Sequence, residues 1–227
     1  IICLQGEQSI VQDKLVFKSI ATNGIGYREV REYLTGSHYL YFIFMTRCYN
    51  TYVESMLQQL SGSEPKPDVI VINSCLWDLT RYGDNAIPQY KENLSKLFGK
   101  LAELFPDTLV IWATNPPIAT NPKGGVFVPE TEHLKCQMEL NVIEANFCAR
   151  ELAAEHGHDV LDLHYYLRHQ IHRRAEDGIH WDMTGHRRMS NLLLSNVFYF
   201  DFCFLRYFND LAINFFQGHF LGHIMNK

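Results

Sequence analysis

Apolar residues fall in two rhythms along this chain, and the rhythms alternate. Residues 38–47 (HYLYFIFMTR) are aromatic and β-branched, residues 68–75 (DVIVINSC) and 108–113 form short apolar runs, and residues 158–163 (HDVLDL) form a fourth. Runs of this length are the pattern of strands buried on both faces of a parallel sheet. Between them the spacing becomes helical. Residues 49–60 place Tyr52, Val53, Met56, Leu57 and Leu60 on one face, and residues 90–105 do the same with Leu94, Leu97, Phe98, Leu101 and Leu104 before Pro106 stops the helix. Residues 130–155 predict a long helix whose buried side is Leu134, Met138, Leu140, Ile143, Phe147 and Leu152, ended by Gly157. A last helix over residues 183–197 turns Met189, Leu192, Leu193 and Val197 inward. Strands alternating with helices specify a three-layer α/β fold with a parallel sheet at its centre.

The two ends are less regular. Residues 15–20 have strand character, and residues 23–26 carry enough glycine for a turn. Residues 1–197 read as one domain, and residues 198–227 as a divergent aromatic C-terminal tail. Asp201, Arg206 and Asp210 make that tail too polar to span a bilayer and leave three readings open: an interfacial helix, a surface for a protein partner or a poorly evolved extension.

Composition narrows the function. The chain has 227 residues, of which 47% are hydrophobic and 20% charged, with a formal net charge of -5. It is globular, with no basic footprint for nucleic acid. Its 6 cysteines are scattered without a C-x-x-C pair, which predicts reduced thiols and an intracellular location, cytoplasmic or nuclear. No run of apolar residues is long enough for a transmembrane helix.

Asp177-Gly178-Ile179-His180-Trp181-Asp182 is the strongest chemical signal. An Asp three residues before a His lets the carboxylate orient the imidazole while the other ring nitrogen faces a nucleophile. The alternative is an acidic helix N-terminus. Asn73-Ser74-Cys75-Leu76-Trp77-Asp78 is the second signal: Asn73, at a strand end, can donate to an oxyanion, or else cap a turn. Trp77 and Trp181 are candidate pocket walls, with core packing as the alternative for Trp77. Ser74 and Cys75 are neighbouring nucleophile candidates, although a buried inert thiol is the commoner fate of such a cysteine. His164, His169, His172, His180 and His186 are dense but match no zinc spacing.

Together with Tyr27-Arg28-Glu29-Val30-Arg31-Glu32, Arg81-Tyr82-Gly83 and Asp159-Val160-Leu161-Asp162-Leu163-His164, these motifs make the chain similar to the PC-esterase domain-containing protein 1 family, a branch of the GDSL/SGNH-like acyl-esterases. The resemblance runs from about Gly6 to Val197. It implies a flavodoxin-like sheet of the SGNH hydrolase type, a nucleophilic serine in an early Gly-Asp-Ser block, an Asn donor and an Asp-x-x-His pair. Asn73, Asp177 and His180 match the last two, and Gly24 is a weaker match to the family's glycine donor.

No Gly-Asp-Ser occurs in this sequence. Gly6-Glu7-Gln8-Ser9 falls where the family has its second stretch, so Ser9 reads as a surface serine. The chain, which opens Ile-Ile-Cys, therefore reads as N-terminally truncated. The family's first strand sits inside the sheet, in the order 2-1-3-4-5, so its loss should leave a gap filled by another segment or a sheet split in two. The leading expectation is an acyl-esterase scaffold for a small acyl-ester or modified-carbohydrate substrate, without cofactor and inactive in this form. The alternative is a non-catalytic ligand- or protein-binding pseudoenzyme, and metal-dependent hydrolysis by the histidines is a third reading.

Overall fold

The structure, a computed structural model, describes residues 13–20, 24–36, 38–123 and 127–200, with side chains to residue 197. Gly6–Ser9 and the tail beyond residue 200 lie outside these residues.

Three strands form an antiparallel meander: β1 (Lys14–Lys18), β2 (Glu29–Leu34) and β3 (Tyr39–Ile43). The β2–β3 register pairs Val30 with Ile43 and Leu34 with Tyr39. Helix α1 (Thr51–Ser61) starts where the Asn50 side chain accepts from the Val53 amide at 2.9 Å, and it buries Val53, Leu57 and Leu60. This is ordinary N-capping of otherwise orphaned amides.

The second sheet is parallel and ordered by sequence: β4 (Val69–Ile72), β5 (Leu109–Ala113) and β6 (Asp159–Leu161). Between its strands run α2 (Leu76–Arg81), α3 (Ala86–Leu104) and α4 (Met138–Glu155). After β6 come α5 (Leu163–Leu167) and α6 (Met183–Phe200). Alternation along the strands sorts side chains to two cores. Ile70, Ile72, Val110 and Trp112 meet α1, α3 and α4 on one face, while Val71, Ile111, Ala113 and Leu161 meet α5 and α6 on the other. The predicted three layers are present.

Two expectations need correction. The strand within residues 38–47 does not extend the parallel sheet but closes the meander. Its side chains nevertheless enter both cores, Ile43 and Tyr41 on one face and Leu40 on the other, as those of β4 do. Strand β3 thus shares both cores with the parallel sheet without a backbone ladder to β4, and among the described residues the strands form two separate sheets. The second correction is the buried face of α4. Leu140, Ile143 and Phe147 are exposed, whereas Val142, Ala145, Asn146, Ala149 and Ala153 are buried. Residues Pro129–Gln137 are 3-10 helix, so a 3.6-residue phase carried forward from Leu134 arrives rotated. The bulky Leu94, Leu97, Phe98 and Leu101 of α3 already fill the core, which leaves room only for alanines opposite them.

Candidate active site

Asp177 and His180 sit in a tight loop between the short 3-10 turn Ile171–Arg173 and α6. The loop closes on itself through Gly178 N to Ala175 O at 3.0 Å and Ala175 N to His180 O at 2.8 Å. Asp182 then starts α6, accepting from the Gly185 amide at 2.8 Å. One Asp177 oxygen accepts from the Ile179 and His180 amides at 2.9 and 3.0 Å, and the other meets His180 Nδ1. With Nδ1 engaged, the remaining nitrogen, Nε2, is left to act on a substrate or nucleophile. Burial opposes the Asp177 charge, but the His180 hydrogen bond and the two amides outweigh it, and the carboxyl is held below its ordinary 3.8.

A second segment fixes where this loop points. Ala119 N donates to Gly178 O at 2.7 Å and Lys123 N to Asp177 O at 2.8 Å, so the loop is docked on the stretch that follows β5. Gly178 has φ +78°, and a Cβ there would stand 2.6 Å from Ala119 Cβ. Only glycine meets both demands. An open cleft of about 400 Å³, lined by Thr120, Asn121, Glu132, His133, Lys135 and Cys136, adjoins this stretch.

Asn73 directly follows β4, at the carboxyl end of the parallel sheet where such folds place their ligands. Its Nδ2 donates to Ala113 O at 2.8 Å, which orients the amide across the strand ends. Asn115 continues this polar row, donating to Ser74 O at 3.1 Å and exchanging two bonds with buried Asn146 at 2.9 Å each. Among the described residues no hydrogen bond joins Asn73 to His180; the strand-end segment of residues 113–123 links them. Asn115, Asn146 and Asp78 were not singled out as site residues by the sequence reading. Burial is their common signature, and a single sequence does not display it.

Ser74 and Cys75 are both committed elsewhere. The Ser74 hydroxyl donates to Asp78, and burial pushes the Cys75 thiol well above its ordinary value. Asp78 is itself buried and accepts from the Cys48 amide at 3.0 Å, and burial raises its carboxyl to about 6.

The two tryptophans part company. Trp77 is half-buried and edge-on to Phe44, whose ring meets Tyr27 beyond the Gly24 turn. Trp181 is 2% exposed, packed with Met189 and Leu193 in the second core, so it supports the His180 loop from below and lines no surface. That corrects its assignment as a pocket wall. Gly24 has φ +91° in a turn anchored by Thr46 Oγ1 donating to Ile25 O at 2.9 Å. Among the other histidines, His164 Nδ1 lies 3.1 Å from Asn115 O. Among the described residues no helix is long and apolar enough to cross a membrane.

No protein-family profile matches the chain. PC-esterase domain-containing protein 1A of Homo sapiens is 42% identical over 199 residues, covering 85% of this chain and 44% of the relative. Protein 1B of Homo sapiens is 39% identical over 198 residues, covering 85% of this chain and 46% of the relative. The chain spans less than half the length of these curated relatives. A lipase/acylhydrolase from Enterococcus faecalis overlays 63% of this chain and 69% of its own at 21% identity, with a TM-score of 0.47. At this identity and coverage, the chain belongs to the PC-esterase domain-containing protein 1 family.

Proposed function

We propose that these residues supply the acid and base half of an acyl-ester hydrolase site, and that the serine half is carried on a strand not contained in this sequence. The observation that carries the reading is His180, fixed through Nδ1 by Asp177 and half-exposed, on a loop docked at the carboxyl end of the parallel sheet. The missing ladder between β3 and β4, whose side chains share both cores, is where an additional central strand fits. A serine at the end of that strand attacks the ester carbonyl, His180 Nε2 takes its proton and later gives it to the leaving alcohol, and Asp177 holds the ring and its charge. Asn73 spends one N–H on Ala113 O, and its second N–H is the oxyanion donor.

The test has two arms. The chain alone is assayed with a short p-nitrophenyl ester, and the same chain is assayed after extension by a Gly-Asp-Ser strand. The extended chain should turn over ester, and His180→Ala in it should cost about 10⁶-fold in kcat. Turnover by the unextended chain that survives His180→Ala would overturn the reading. A non-catalytic binding role is the second reading, favoured by the commitment of the Ser74 hydroxyl to Asp78. An extended chain that is folded but inert would support it.

A further inference from the structure

Helix α4 is built inside out. Its small residues Ala145, Ala149 and Ala153 face the core, while Leu140, Ile143 and Phe147 are 68%, 47% and 55% exposed. Spacing of i, i+3 and i+7 on a continuous helix sets those three on one stripe. No described element covers it. Single exposed apolar residues are ordinary, but three large ones in line, on a helix whose own core contact is alanine, form a face suited to another helix.

The charges beside the stripe decide which helix. At about 100° per residue, Glu139 and Arg150 point within about 20° of one another, along a line about 60° to one side of the stripe. Glu139 stands at the N-terminal end of that line and Arg150 at the C-terminal end. A copy of α4 turned by a two-fold axis through the middle of the stripe lies antiparallel to the first, and equivalent flanks of the two helices meet. Glu139 then faces Arg150 of the second copy, and the symmetry repeats the pair at the other end.

The contacts already made by these groups leave room for that exchange. Arg150 lies over the Phe147 ring at 5.4 Å and donates from Nε and Nη2 to Glu151 at 3.3 Å, which leaves Nη1 without a described partner. Glu139 accepts from Thr120 Oγ1 at 2.9 Å through Oε2, and its other oxygen can accept as well. On the opposite flank the two-fold brings Glu144 near its own copy. Lys91 pairs with Glu144 at 3.0 Å and offsets that repulsion.

We propose that α4 is the contact between two copies of this chain, packed antiparallel across a two-fold axis at the middle of the stripe of Leu140, Ile143 and Phe147. One helix from each copy gives an interface below the roughly 1,200 Å² of stable complexes, so the association is micromolar or weaker. It rests on no step of the hydrolase reading, because α4 carries neither Asp177 nor His180.

Sedimentation velocity of the full chain, from about 1 to about 200 µM, measures the association. The mean mass should rise with concentration and level off at two chains. Ile143→Glu and Phe147→Glu should each weaken dimerisation about tenfold or more, while Leu34→Glu, at an exposed position on β2, should leave it unchanged. Glu139→Arg and Arg150→Glu should each weaken it several-fold. The double reversal rebuilds both pairs with exchanged signs and should return the affinity to within about twofold of the parent. Urea midpoints at the lowest concentration, where the chain is monomeric, check folding. Leu140→Ala, which removes contact without adding charge, replaces a glutamate variant that unfolds and should weaken dimerisation several-fold. A chain that stays monomeric throughout would assign the stripe to a different occupant and overturn the proposal. Association that continues past two chains, a dimer indifferent to the stripe variants, or a double reversal that fails to recover overturns it equally.

Discussion

Gly178→Ala is the perturbation for which the structure gives the clearest arithmetic. Placing alanine at φ +78° costs about 1–2 kcal/mol in backbone strain. The added Cβ would also meet Ala119 Cβ at 2.6 Å and Pro122 Cα at 3.4 Å, and relieving such overpacking costs about 1–3 kcal/mol more. The expected total is about 2–5 kcal/mol, unless the loop detaches and gives up its bonds from Ala119 and Lys123 instead. Gly157→Ala is the control: its φ is +75° but nothing lies within 4 Å of the added carbon, so backbone strain acts alone. Urea unfolding of both variants isolates the steric part as their difference. Ala119→Gly in the Gly178→Ala background removes the closest contact and should restore about 1–3 kcal/mol, read as the coupling in a double-mutant cycle. If Gly178→Ala matched Gly157→Ala within about 0.5 kcal/mol and showed no coupling to Ala119, the docking of the Asp177–His180 loop described above would be wrong.

Three further outcomes are expected. The Asp78 carboxyl, raised from 3.8 to about 6, holds its proton more tightly in the folded than in the unfolded chain, so its contribution is greatest below pH 3.8 and declines by about 3 kcal/mol as pH rises through 6. Asp78→Asn should remove that slope from urea-measured stability, while Asp177, shifted the other way, loses its contribution only as pH falls below its ordinary 3.8. On α4, Leu140→Ala should change stability by no more than about 0.5 kcal/mol because the side chain is exposed. Ala149→Leu, at a fully buried position, should cost about 1–3 kcal/mol or more in the same assay.

The elements were legible wherever one rhythm ran unbroken. Helix α3 buries Leu94, Leu97, Phe98 and Leu101, all of them expected, because nineteen residues of regular helix keep phase. On α4 the phase broke at the 3-10 segment, and small alanines carried the contact that large residues had been expected to make. Strand pairing was less visible still. Residues 39–43 look like a buried parallel strand because they do face two cores, yet their backbone bonds go to β2. Composition records which faces are apolar, and hydrogen-bond partners depend on which segments are nearby. The Asp177–His180 contact was readable because it is local, three residues apart. The pairing of Asn115 with Asn146 and of Asp78 with the Cys48 amide depends on partners 30 or more residues away and was not.

The seam between β3 and β4 has a consequence for how the molecule comes apart. Across it, the two strands share cores but no described ladder crosses, and what polar fastening there is runs through single points such as the Cys48 amide on Asp78 and Thr46 on Tyr82. Ladder-joined strands open together; strands joined by packing can open separately. The meander is therefore a cooperative unit of its own, able to lift from the α/β body while β4, β5 and β6 stay paired.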